Sequence, residues 1–195
     1  MASMVTASVL LALALAGPEI KTPICPIMGH EATDTITVVE YASFRYEFCC
    51  NGCPQAFAKS PDAALKKAPK EGILGTSLFD PVARQVVTKK TAQFVYTVGQ
   101  TQFLILHEEA NEAWKANPKA YQNIPAKVVM QCPVTETKFA KYSDAFGYCD
   151  YQGVRYFVSS EEAQDAFDQA PAKYATKFAS EAKAPKAILV QPPKK

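Results

Sequence analysis

A spacing that recurs three times restricts the fold of this chain more than any other feature. With Phe57, Trp114 and Phe167 aligned, a proline stands four residues later at Pro61, Pro118 and Pro171. An aromatic stands eleven residues earlier, at Tyr46, Phe103 and Tyr156. Further upstream each stretch opens on an X-Pro pair: Cys25-Pro26, Asp80-Pro81 and Cys132-Pro133. Chance rarely repeats four offsets three times, so the sequence predicts small tandem units of roughly fifty residues.

Each unit has the same coarse syntax. After the X-Pro pair come two β-branched and aromatic runs with a turn between them, as in Ile36-Thr37-Val38-Val39 and Phe44-Arg45-Tyr46-Glu47-Phe48, which reads as a β-hairpin. A helix is expected next, over Glu108 to Ala116 and over Glu161 to Ala170, where Ala163, Ala166 and Phe167 fall at helical spacing. Ser159 or Ser160 supplies its N-cap, with Glu161 and Glu162 in the first turn where the helix dipole favours acids. The proline is expected to end it. The predicted class is therefore α+β, in tandem units of a Cys-Pro or Asp-Pro knuckle, a hairpin and a helix. The boundaries fall at 17–70, 71–126 and 127–181, followed by a flexible tail, 182–195, whose apolar Ile188-Leu189-Val190 can clip onto another unit or a partner.

Residues 1–16 are read as an export signal. The apolar block from Val5 to Ala16 is too short to span a bilayer comfortably and ends in Ala14-Leu15-Ala16, the small-residue form of a signal-peptidase site. The stretch before it has no Lys or Arg, which departs from the usual pattern. The expectation is an exported protein, periplasmic or secreted, whose mature chain begins at Gly17 and has no membrane span. A net charge of +2 without a basic stripe predicts no nucleic-acid partner.

Four of the six cysteines, Cys25, Cys49, Cys50 and Cys53, fall in the first unit. In an oxidising compartment six thiols can pair as three disulfides. Against that, adjacent Cys49 and Cys50 would have to bridge to different partners, and Cys132 and Cys149 lie far away. A metal site needs fewer assumptions. Cys49 and Cys53 are spaced to lie one turn apart at a helix start, and the knuckle brings Cys25 alongside, so three thiolates converge where backbone amides offset their charge. Such a trio suits Cu(I) in trigonal form, or Zn(II) with a fourth ligand, for which Cys50 comes first, then His30, then Met28.

Each of these residues has a plainer reading beside the metal one. Met28 can be core filler and His30 an exposed loop residue. His107 can join Asp80 in a second site, although neither a thiol nor another imidazole stands near them in sequence. Cys149, in the strand-like run Phe146 to Tyr151, is read as a buried small hydrophobe or as a disulfide partner of Cys132.

Cys25-Pro26-Ile27-Met28-Gly29, the core Tyr46-Glu47-Phe48-Cys49-Cys50-Asn51-Gly52-Cys53, then Phe57 and Pro61, resemble the YHS and TRASH domains, small treble-clef-like modules associated with binding and sensing heavy metals. Their usual ending, Asn-Pro-x-x-Tyr, appears as Asn117-Pro118-Lys119-Ala120-Tyr121 and as Ala170-Pro171-Ala172-Lys173-Tyr174, and is weakened to Ser60-Pro61-Asp62-Ala63-Ala64 in the first unit. The resemblance implies a heavy-metal site at Cys25, Cys49 and Cys53, with Cys50 as a fourth ligand. It also marks the other units as degenerate. Asp80, Leu106, His107 and Ala110 stand at the sulfur positions of the second, and Cys132, Ser159, Ser160 and Ala163 at those of the third.

Two other classes stay open. Cys50-Asn51-Gly52-Cys53 is formally a Cys-x-x-Cys motif of a thiol-disulfide redox protein, although the βαβ pattern of a thioredoxin-like domain is missing. A non-catalytic interaction scaffold with disulfides is the other, its protein partner unidentified. No Ser-His-Asp set, phosphate loop or carboxylate pair is evident, so the chain is expected not to be an enzyme. The favoured expectation is an exported protein that binds copper or zinc in its first unit.

Overall fold

The computed structural model describes residues 19–32 and 37–191. The expected export signal at 1–16 therefore lies outside the described residues, as does Ile36 of the first expected strand. The class is α+β.

In the first segment, β1 (Val38–Tyr41) and β2 (Phe44–Tyr46) form an antiparallel hairpin, followed by α1 (Cys53–Lys59) and α2 (Pro61–Lys67). The second holds β3 (Gly75–Ser77), the hairpin β4 (Phe94–Val98) and β5 (Thr101–Ile105), then α3 (Glu108–Ala116) and a 3-10 turn at Pro118–Tyr121. The third holds β6 (Lys127–Val129), the hairpin β7 (Gly147–Tyr151) and β8 (Val154–Val158), then α4 (Glu161–Gln169) and α5 (Pro171–Phe178). Residues Ile188–Val190 form β9.

The three prolines do not end a helix so much as begin the next one. Pro61, Pro118 and Pro171 each occupy the first helical position, where a missing N–H costs nothing and the ring presets φ. Ser160 caps α4 as expected, its Oγ accepting from the Ala163 N–H at 3.2 Å.

Strands of the first two segments share one six-stranded sheet, ordered β4-β5-β3-β2-β1-β9. The third segment builds its own sheet, β6-β8-β7. The hairpins are antiparallel, whereas β3 runs parallel to β5 and β6 parallel to β8. β9 closes the first sheet by pairing antiparallel with β1, Val39 opposite Leu189. The tail expected to be flexible thus contains an edge strand on the first hairpin.

Aromatic rings fill the space between each hairpin and its helix. Tyr46 pairs with Phe57 at 4.8 Å and 36°, Phe103 with Trp114 at 5.1 Å and 38°, and Tyr156 with Phe167 at 5.3 Å and 36°. Phe57, Trp114 and Phe167 are all almost completely buried. Tyr121 and Tyr174, three residues past their prolines, stack on Trp114 and Phe167, each at 6.4 Å. Ala64 leaves that place without a ring in the first segment, where Tyr41 approaches Phe57 edge-on instead. Burying rings of this size supplies the main stabilisation of each segment.

Each knuckle closes in the same way. The N–H of Cys25, Asp80 and Cys132 donates to the carbonyl of His30, Gln85 and Thr137 respectively, each at 2.8 Å. The N–H of Gly29, Arg84 and Glu136 returns to the carbonyl of the knuckle's first residue. All three of these residues have positive φ, at 76°, 61° and 63°.

The second knuckle docks onto the third segment. Tyr148 donates its N–H to the Arg84 carbonyl at 2.9 Å, Val86 donates to Phe146, and Arg84 pairs with Asp168 through two hydrogen bonds. Gly147 lies so close to the Arg84 carbonyl that a Cβ there would collide with backbone. Gly147→Ala is therefore expected to lower stability by about 1–3 kcal/mol through overpacking. Urea unfolding measures this, and an unchanged midpoint would contradict the close docking.

Candidate metal centre

The site is assembled from a turn and a helix start. Cys25 opens the first knuckle, Cys49 and Cys50 lie in the bend after β2, and Cys53 is the first residue of α1. Cys49 thus precedes the helix, rather than opening its first turn with Cys53 one turn on, as the spacing implies. Phe48 and Phe57 pack at 5.5 Å, fixing the bend against α1.

The Sγ atoms of Cys25, Cys49 and Cys53 all lie within 4.8 Å of one another. Sulfurs bound at about 2.3 Å to one ion stand about 3.8–4.0 Å apart, so closing on a metal requires a contraction of less than about 1 Å. Cys50 adds a fourth sulfur, 2.8 Å from that of Cys53. Cys25 and Cys53 are buried, Cys49 is half-buried and Cys50 is exposed. All six cysteines are free and Cys149 is buried, so neither the alternative Cys132 to Cys149 pairing nor a disulfide at the first cluster is formed.

The surrounding hydrogen bonds explain the electrostatics. Burial alone would raise the Cys25 thiol, but backbone N–H groups of Cys49, Met28 and Ile27 donate to its sulfur and hold it below the ordinary value. Cys50 is also lowered, by the thiol of Cys53 and the N–H groups of Cys53 and Gly52. Burial raises Cys49 and Cys53, and the hydrogen bond and charge of Cys25 add to it at both, whereas the hydrogen bond with Cys53 opposes it at Cys49. The backbone N–H groups around Cys25 and Cys50 thus favour the thiolate that a soft metal binds, whereas burial opposes it at Cys49 and Cys53.

Among the described residues His30 is not part of the group formed by the three cysteines. Met28 is 55% exposed, so it does not fill the core. His30 is exposed, and its backbone carbonyl accepts the Cys25 N–H. Among the described residues, no second group of three or more His, Cys, Asp or Glu is gathered closely enough to hold an ion.

Sequence reasoning missed what Asp80 does. Its carboxylate is fully buried, and Oδ1 accepts from the Val82 N–H at 2.7 Å and the Ala83 N–H at 3.0 Å. Oδ2 accepts from the Leu106 N–H at 2.8 Å. Val82, Ala83 and Leu106 correspond by position to Ile27, Met28 and Cys49, the three donors to Cys25. The nest that receives a thiolate in the first segment therefore receives a carboxylate in the second. His107 does not join Asp80 in a metal site; its Nδ1 accepts from the Ala110 N–H at 3.4 Å and caps α3.

The third segment shows an intermediate case. Cys132 accepts from the Thr135 N–H and from the Ser159 hydroxyl, each at 3.5 Å, where Ser159 stands in the place of Cys49. Burial opposes its ionisation, but these donors outweigh it and its thiol is lowered. Cys149 is buried beside the Gln164 carbonyl, and burial pushes its thiol up.

No protein-family model, curated protein or solved structure matches this chain significantly. Among the described residues no helix is long and apolar enough to cross a membrane.

Proposed function

We propose that this chain binds one copper or zinc ion at Cys25, Cys49 and Cys53, with Cys50 as the fourth sulfur, and is a metal-binding protein rather than an enzyme. The convergence of the three Sγ atoms within 4.8 Å carries the reading. Thiolates are soft donors that select Cu(I) and Zn(II) over hard cations. The YHS/TRASH likeness and the three-unit reading are consistent with it: the Cys25 nest recurs around Asp80 and Cys132, where the other sulfurs are lacking.

Titration of the reduced protein with Cu(I), and separately with Co(II) as a spectroscopic substitute for Zn(II), tests the proposal. Thiolate-to-metal absorption saturating at one equivalent is expected; absence of such absorption with both ions contradicts it. Export is proposed from Ala14-Leu15-Ala16 alone. The intact mass of the exported protein should correspond to a start at Gly17, and an uncleaved chain as the main species would contradict that.

A second reading has one observation in its favour. The 2.8 Å separation of the Cys50 and Cys53 sulfurs, with Cys50 exposed and its thiol lowered, is an arrangement that thiol-disulfide exchange could use. Cys25 and Cys49 have no part in that chemistry, whereas the metal reading uses all four sulfurs.

A further inference from the structure

We infer that Cys50 is a transfer ligand, which carries the ion from the buried trio to the surface and hands it to an acceptor that itself presents a thiolate. The inference rests on the trio being a metal site. Its own observation is the gradient of exposure through the four sulfurs: Cys25 is 0% exposed, Cys53 is 4% exposed, Cys49 is half-buried and Cys50 is open to solvent. Cys50 is within 2.8 Å of Cys53, so an ion need not leave sulfur coordination to reach the surface. A structural site is closed by its ligands, whereas a site that exchanges metal keeps one side open.

The backbone donors suit the two ends of this path. Backbone N–H groups of Ile27, Met28 and Cys49 face the Cys25 sulfur, so this buried end keeps hydrogen-bond partners when the ion moves away. At the outer end the N–H groups of Gly52 and Cys53 face the Cys50 sulfur. Met28 leaves its thioether exposed in the same knuckle, a soft donor that favours Cu(I).

The exchange balances without an oxidant or a reductant. The bond from Cys25 to the ion breaks as the bond from Cys50 forms. An acceptor thiol then loses its proton to solvent as its sulfur bonds the ion. The second thiol of the acceptor pair bonds the ion in the same way, losing its proton to solvent, as the bonds to Cys53, Cys49 and Cys50 break in turn; the vacated sulfurs take protons from solvent, and the oxidation states of sulfur and metal do not change.

The test loads the full chain with one equivalent of Cu(I) under anaerobic conditions. Transfer is followed to a peptide with one Cys-x-x-Cys pair and to bathocuproine disulfonate, a chelator without sulfur. For the native protein the rate should rise with acceptor concentration and be greater for the peptide. Cys50→Ser and Cys50→Ala should still bind one equivalent of Cu(I) through the remaining trio, with affinity weakened by loss of the fourth sulfur, while transfer to the peptide slows at least tenfold although weaker binding alone would speed release. Transfer at the native rate in both variants overturns the inference. So does loss of stoichiometric binding in both, which would make Cys50 an ordinary holding ligand. Failure of the native chain to bind Cu(I) overturns the metal reading itself, and this inference with it. Far-UV circular dichroism confirms that the exposed substitutions leave the fold intact.

Discussion

Asp80→Ala is expected to lower the free energy of unfolding by about 3–5 kcal/mol, an effect far beyond that of an ordinary carboxylate substitution. The carboxylate is fully buried, and its two oxygens accept three backbone N–H bonds of 2.7, 3.0 and 2.8 Å. Alanine leaves those donors orphaned, at about 1–3 kcal/mol for each that water cannot reach. The damage spreads because the same turn carries Arg84, which bonds Tyr148 and Asp168 of the third segment. Asp80→Asn keeps one acceptor oxygen and should cost about half as much. Urea unfolding of both variants measures the difference, and a loss below about 1 kcal/mol for alanine would show that the nest is not satisfied by this side chain.

The second large effect is on metal affinity. Replacing Cys25, Cys49 or Cys53 singly by serine should weaken binding at least a hundredfold, because a hydroxyl is a far poorer ligand for Cu(I) or Zn(II) than a thiolate. The triple replacement should abolish stoichiometric binding. Cys149→Ala is the control: its sulfur is buried in the third segment beside the Gln164 carbonyl, and affinity should be unchanged. Competition against a calibrated chelator gives each Kd. An unaltered Kd for Cys25→Ser would remove the buried end of the site.

Much of the frame was legible because its determinants are local. The aromatic offsets reflect one physical need, a ring on the hairpin meeting a ring on the helix, and those residues form pairs at 4.8, 5.1 and 5.3 Å. The helix from Glu108 to Ala116 and the cap at Ser160 were legible for the same reason, since capping and periodicity are written over a few adjacent residues.

What was missed depends on distant partners. Strands Gly75–Ser77 and Lys127–Val129 are only three residues long and carry no periodic signal; each exists because a neighbouring hairpin offers an edge to pair with. β9 is of the same kind: its apolar triplet was visible, but not that β1 would receive it. Asp80 was recognised as standing in the place of a cysteine. That a carboxylate there serves the same three amides as a thiolate follows only once Leu106 is brought to the knuckle. At the metal centre the residue identities were legible, whereas the exposure of Met28 and the gradient from Cys25 to Cys50 were not, because burial depends on what packs around the bend.

The most direct test of the central claim is elemental analysis of the native chain purified from its own compartment without added metal, beside its Cys25, Cys49 and Cys53 triple serine variant. The predicted result is close to one equivalent of copper or zinc in the native protein and none in the variant. Equal metal content in the two, or a native protein without metal whose Cys25 is locked in a disulfide, would contradict it.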